Sequence, residues 1–91
     1  MGELTTETKE VVFHKIHMGD VEDPDLFVAE PIWKWQQTPA GKFVMEKSVP
    51  NSPRWERRAD LQHWGHVYYI FAEMDTRSLT EYYLRWGKPD V

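Results

Sequence analysis

Apolar and polar positions alternate, or apolar positions run on with little interruption, in several short segments of the chain. Residues 11–18 (VVFHKIHM) are β-branched and aromatic and end at a Gly-Asp turn signal, so they predict a first strand. Residues 65–74 are nearly apolar on both faces and predict a central strand, and residues 54–59 predict a short edge strand. Residues 81–86 (EYYLRW) alternate and predict a further strand.

Capping and proline signals predict two helices between the first two strands. Asp23 precedes Pro24, which favours a helix over residues 24–37 in which the Asp23 side chain caps the first-turn amides. Pro31 lacks an amide hydrogen, so this helix should kink or restart there. A Thr-Pro pair then predicts a second helix over residues 39–47.

These elements predict an α+β fold, with an antiparallel sheet of three to four strands and two helices packed on one face. The length of 91 residues suits one domain, which we expect to cover residues 11–91. Residues 1–10 are polar and without period, and they are expected to form a flexible N-terminal segment.

Two tryptophans of the first predicted helix should lie on opposite sides of it. Trp33 and Trp35 are two residues apart, and the apolar positions of the helix cover roughly 200° of its circumference. Trp35 either packs beneath the second helix, in a wide core helix, or lies exposed. The second interpretation makes Trp35 and Val28 candidate anchors for another protein, since tryptophan and tyrosine are typical anchors of interfaces.

The sheet offers a second candidate contact surface. On the first strand Val12, His14, Ile16 and Met18 are expected to face the core, which leaves Phe13 on the opposite face. Tyr83 is expected to join Phe13 there, together with one of two sets from the central strand, because too little chain remains to cover a second sheet face. The two sets are Val67, Tyr69 and Phe71, or Tyr68, Ile70 and Ala72, and we take Tyr69 and Phe71 as the contact residues. A contiguous apolar patch on a small domain indicates an interface, so the sequence predicts a homodimer or a bound partner through this open face.

Composition excludes some classes of function and disfavours others. The chain has no cysteine, which excludes thiol chemistry, and no segment resembles a signal peptide or a membrane span. The chain is therefore expected to be soluble and unexported. The first 30 residues hold eight acidic and two basic residues, and this acidic end would repel a phosphate backbone.

The histidines form two H-x-x-H pairs, His14 with His17 and His63 with His66. Side chains three apart on a strand point to opposite faces, so the first pair should not share a metal ion, whereas the second pair at a turn could converge. His66 with Asp60 or Glu73 is the only candidate for acid–base chemistry, and no phosphate loop or hydrolase motif occurs. The sequence predicts no enzyme activity, metal or cofactor.

A basic segment with one aromatic residue gives an alternative function. Arg54, Trp55, Arg57 and Arg58 could bind single-stranded nucleic acid weakly, by charge neutralisation and base stacking. The same pattern is typical of a solvated edge strand whose charges prevent aggregation, and it could also pair with an acidic partner.

Three segments of the chain are informative together: GDVEDPDLFVAEPIWKWQQTPAGKFVME, GHVYYIFAEM and LTEYYLRWG. They resemble small uncharacterised accessory proteins of tailed bacteriophages, and the resemblance spans most of residues 11–87. It implies a phage gene product in the bacterial cytoplasm or in the virion, and it carries no catalytic residues. Such proteins often bind and inhibit a host or defence protein, and a virion structural subunit is the alternative.

Overall fold

A computed structural model describes residues 7–62 and 64–89 of the chain. The elements within these residues are β1 (Thr8–Gly19), α1 (Pro24–Phe27), α2 (Ala29–Gln37), α3 (Pro39–Lys47), β2 (Arg54–Asp60), β3 (Gly65–Asp75) and α4 (Thr76–Trp86).

The three strands form one antiparallel sheet in the order β1-β3-β2. The α+β class and the antiparallel three-stranded sheet are confirmed, with residues 65–74 in the centre and residues 54–59 at an edge. Strand β1 begins earlier than predicted, because Thr8 pairs with Asp75. Residues 8–10 therefore belong to the sheet, contrary to their expected flexibility, and residues 1–6 lie outside the described residues.

A β-bulge decides which residues of β1 face the core. The register shifts between Val12 and His14, so Phe13 is an extra residue without a partner on β3. Val11 before the bulge and His14 after it both pair with residues of the core face of β3. Phe13 is 3% exposed in that core, so its predicted place on the open face is wrong. Simple alternation fails here because the bulge changes the phase of the strand.

The first predicted helix is divided into α1 and α2 at Val28. The chain restarts as α2 at Ala29, two residues before Pro31. Asp23 precedes α1 as predicted, but it has a φ of 52° and its side chain makes no capping bond. Its backbone carbonyl instead accepts the Leu26 amide at 3.0 Å. The predicted side-chain cap at Asp23 is therefore wrong. Asp23 has a left-handed backbone conformation, and its carbonyl, not its carboxylate, accepts a hydrogen bond from the first turn of α1.

Helix α3 has the predicted bounds, and two polar contacts hold its first turn. The Gly41 amide donates to the Thr38 hydroxyl at 3.0 Å, and that hydroxyl donates to the Trp35 carbonyl at 2.6 Å. A Cβ atom on Gly41 would lie 1.9 Å from the Trp35 carbonyl oxygen. Glycine is thus required where α3 crosses the end of α2, despite its poor helix propensity.

The predicted fourth strand, residues 81–86, is part of helix α4. The Asp75 carboxylate accepts the Ser78 amide at 3.2 Å and caps this helix. Leu79 and Tyr82 are buried, and Tyr83 packs against the core. Tyr83 therefore lies on a helix and its predicted place on the open sheet face is wrong. The alternation of residues 81–86 is short enough to fit a helix as well as a strand. Leu79 and Tyr82, three residues apart, form the buried stripe of that helix.

Candidate protein-contact surfaces

Trp33 and Trp35 have opposite environments on α2. Trp35 is 7% exposed and stacks on His14 with ring centroids 5.5 Å apart, whereas Trp33 is 59% exposed. Val28 is also buried. The core interpretation of Trp35 is therefore correct, and the placement of Trp35 and Val28 on a contact surface is wrong. Their helical spacing with Ile32 defines one buried stripe.

The opposite side of α1 and α2 carries three exposed apolar residues, which we name the helix ridge: Leu26, Phe27 and Trp33. Leu26 is 70% exposed and Phe27 is 58% exposed. The backbone stays helical through Val28, whose amide bonds to the Pro24 carbonyl, so Leu26 and Trp33 are two helical turns apart on one side. Sequence reasoning identified this helix but chose the wrong side of it.

Acidic residues lie next to the helix ridge in the chain. Asp20, Glu22 and Asp23 are exposed, and Glu30 makes an ion pair at 3.0 Å with Lys34 on α2. Asp25 has a different role, since it accepts a hydrogen bond from the Tyr68 hydroxyl and lies 3.5 Å from Arg57. Among the described residues, no group of three or more His, Asp or Glu side chains could hold a metal ion.

The open face of the sheet is partly covered by arginines of the neighbouring strand. Arg54 of β2 lies 4.1 Å from the ring centroid of Phe71, and Arg58 lies 5.2 Å from that of Tyr69. Guanidinium groups over aromatic faces are favourable cation–π contacts. The structure confirms that Tyr69 and Phe71 lie on the open face, but β2 partly covers them, and their role in binding a partner stays a prediction.

The same arginines form an ion-pair network across the open face. Arg54 contacts Glu10 of β1 at 3.2 Å and Glu56 at 2.9 Å, and Arg58 contacts Glu56 at 2.8 Å. Hydrogen bonds from Arg54 and Arg58 lower the pKa of Glu56, and the bond to Glu56 is the main cause of a raised pKa of Arg54. Because these charged groups are exposed, their attraction weakens as the salt concentration rises.

The basic segment does not form a separate cationic site. Its three arginines each contact a carboxylate: Arg54 and Arg58 contact Glu56 on the open face, and Arg57 contacts Asp25 on the core face. Trp55, the aromatic residue of the segment, is 50% exposed. The structure thus places arginines of the predicted basic segment over the predicted aromatic face, while carboxylates pair with their charges.

The histidines occupy unlike environments. His14 pairs with Ile70 on the core face, where burial lowers its pKa, while His17 pairs with Val67 on the open face, so they point to opposite faces as expected. His17 Nδ1 lies 3.6 Å from an Asp60 carboxylate oxygen. His63 lies outside the described residues, so the structure does not describe its expected convergence with His66.

One exposed apolar pair was not anticipated from the sequence. Leu61 and Trp64 flank the turn between β2 and β3, and both side chains are largely exposed. They line a groove of about 280 Å³, whose other lining residues are Ala59, Gly65, Asp20, Asp60 and His66. Trp64 has a φ of 51°, a conformation that turns use and sequence periodicity does not indicate.

None of the helices in the described part of the chain combines the length and apolar character that crossing a membrane requires.

Comparisons with protein families, with curated proteins and with solved structures give no match. The resemblance to phage proteins therefore rests on the quoted sequence segments alone.

Proposed function

We propose that this protein is a non-enzymatic protein-binding module and that the helix ridge is its contact surface. The main support is the exposure of Leu26, Phe27 and Trp33 on helices whose other side already builds the core. An amphipathic helix binds a groove through anchors at positions i, i+3 or i+4, and i+7, and Leu26 and Trp33 have the outer spacing of that set. Tryptophan is also among the residues most enriched at interface anchors.

The charge around the helix ridge indicates the chemistry of the partner. Residues 20–30 contain five acidic residues and no basic residue. Glu30 and Asp25 pair with Lys34 and Arg57, which leaves the exposed Asp20, Glu22 and Asp23 as the main negative charge beside the ridge. Complementary potentials speed association and suppress wrong partners. The partner surface should therefore be an apolar groove with a basic rim.

The biological setting is a further part of the proposal. The phage resemblance supports a partner that is a bacterial host or defence protein, whose activity this module modulates or inhibits. A structural subunit of the virion is the alternative, and proteomics of purified particles would distinguish it.

The binding test compares three immobilised proteins in bacterial lysate: wild type, Trp33→Ala and the control Leu84→Ala. Leu84 is a matched control because it is exposed and apolar but lies on α4. Each protein retained by wild type is purified and titrated against all three. We expect Trp33→Ala to weaken binding about tenfold or more, with Leu84→Ala close to wild type. A purified partner that binds Trp33→Ala as tightly as wild type would contradict the proposal.

A further inference from the structure

Strand β2 has an open hydrogen-bonding edge. Among the described residues its only neighbour in the sheet is β3. Most of its residues are exposed, and no proline interrupts it between Arg54 and Asp60. Such an edge presents unpaired backbone N–H and C=O groups that can bind another strand.

The side chains of β2 are complementary to those of a second β2 in one antiparallel register. A two-fold axis perpendicular to the joined sheet places residues of the same sheet face opposite one another. Because side chains alternate between the two faces, the numbers of two opposed residues differ by an even number. With the axis at Arg57, all seven residues of the strand are paired. The opposed side chains are then Arg54 with Asp60, Trp55 with Ala59, and Glu56 with Arg58. Four of these cross-strand contacts join opposite charges once both copies are counted.

The neighbouring registers lack this complementarity. An axis at Glu56 opposes Arg54 to Arg58, and an axis at Arg58 opposes Glu56 to Asp60. Both arrangements place like charges directly across from one another, which destabilises strand pairing. Registers centred further along the strand pair fewer of its residues. The sequence of β2 therefore favours one register over the others.

The residue on the axis is the one position where like charges meet, and it has a carboxylate partner in its own chain. Arg57 lies 3.5 Å from Asp25, so each copy brings its own counter-charge to the axis. Asp25 is fixed in turn by the hydroxyl of the buried residue Tyr68. The repulsion between the two Arg57 side chains is thereby reduced.

The same register would also cover exposed apolar side chains at both ends of β2. Trp55 would lie opposite Ala59 of the second copy, whose small side chain leaves room for an indole ring. Ala59 lines the groove of about 280 Å³ that Leu61 and Trp64 border. Trp55 of each copy would thus approach the groove of the other, where Leu61 and Trp64 provide apolar contacts.

We propose that two copies of this chain associate through antiparallel pairing of their β2 edges about Arg57, which joins two sheets into one of six strands. This site differs from the open sheet face that the sequence suggested for a homodimer. The β2 edge is a different element from the helices that carry the ridge, although Asp25 beside Leu26 contacts Arg57. Each proposal has its own test, so one can fail while the other stands.

The test measures solution mass by sedimentation over a range of concentrations. Wild type is expected to approach twice the 10.9 kDa chain mass as concentration rises. Glu56→Arg and Arg58→Glu each create opposed like charges, and each should raise the dissociation constant about tenfold or more. The double variant with both changes restores opposite charges across the axis and should recover dimerisation. Circular dichroism confirms folding of every variant.

A cysteine placed on the axis tests the register independently of charge. The chain contains no cysteine, so Arg57→Cys introduces a single thiol next to its symmetry mate. Opposed residues of antiparallel strands have Cα atoms about 4.5–5.5 Å apart, which a disulfide can span. We expect an oxidised dimer from Arg57→Cys and none from the exposed control Thr80→Cys. A wild type that stays monomeric, single charge variants that still dimerise, or a double variant that does not recover would each overturn the proposal.

Discussion

The open sheet face and the helix ridge both carry aromatic residues, but only one of them is covered by the chain itself. On the open face, Phe71 and Tyr69 lie beneath Arg54 and Arg58. On the ridge, Phe27 and Trp33 remain more than half exposed. Both surfaces are aromatic in sequence, so aromatic content alone does not locate a contact site.

The difference between the two surfaces arises from their neighbours in the fold. The open face lies beside an edge strand rich in arginine, whose long side chains cover apolar rings while their charged ends stay in water. Next to the ridge in the chain stand acidic residues, whose side chains are short. The nearest long basic side chain, Lys34, forms an ion pair with Glu30. Of these two surfaces, the helix ridge is therefore the one whose aromatic side chains the chain leaves uncovered.

The largest expected effect separates the two sides of α2. Trp35→Ala should lower the free energy of unfolding by about 3–5 kcal/mol, because it removes a buried ring from a packed core. Trp33→Ala should change it by only about 0.5 kcal/mol or less, as for other surface substitutions. Urea denaturation of both variants measures this. Equal losses would mean that the ridge is part of the packed structure and not a free surface.

A second substitution tests how α2 and α3 meet behind the ridge. Gly41→Ala should cost about 1–3 kcal/mol of stability, because the new Cβ atom would collide with the backbone carbonyl of Trp35. Lys42→Ala is the control, since Lys42 is an exposed residue of the same helix. If Gly41→Ala were as stable as the control in thermal unfolding, the close approach of the two helices would be incorrect.

Removing the arginine cover should make the open face resemble the ridge. Arg54→Ala uncovers Phe71 and breaks the contacts to Glu10 and Glu56, so binding of a hydrophobic dye should increase. Arg54→Lys keeps the charge but loses the planar group that stacks on the ring, and its effect should be intermediate. Dye fluorescence that is unchanged in both variants would show that Arg54 does not shield the face.

The smallest expected effect is a pH dependence of the core side of α2. Burial lowers the pKa of His14 below its usual 6.5 in the folded state, so the unfolded state binds a proton more readily. The associated stability is present above pH 6.5 and is lost as pH falls through the lower folded pKa. His14→Gln should make the free energy of unfolding depend less steeply on pH, which urea denaturation at several pH values around and below 6.5 measures. An unchanged slope would assign the pH dependence to other groups.

The sequence predicted those parts of the fold that local signals determine. The Thr-Pro cap located α3, and the apolar run of residues 65–74 located the central strand. The sequence-based prediction failed where contacts between distant parts of the chain determine the structure. The bulge at Phe13 and the cover over Phe71 depend on strand pairing, which local periodicity does not contain. Residues 81–86 were misassigned because a short alternating run fits both periods.

The candidate site was predicted only in part, and for a similar reason. Sequence reasoning found the aromatic helix and the opposition of its tryptophans, but not which side is buried. The buried positions Pro24, Val28, Ile32 and Trp35 are spaced by four, four and three residues, a pattern visible in the sequence. Choosing this stripe as the buried one, and not the stripe that contains Leu26 and Trp33, would have predicted that Trp33 is exposed.

The most direct test of the central claim is photo-crosslinking from one position on each surface. A benzophenone amino acid replaces Leu26 on the ridge or Tyr69 on the open face, and both proteins are irradiated in bacterial lysate. We expect a discrete adduct with a partner protein from position 26 and none from position 69. Adducts formed from position 69, with none from position 26, would contradict the assignment of partner binding to the helix ridge.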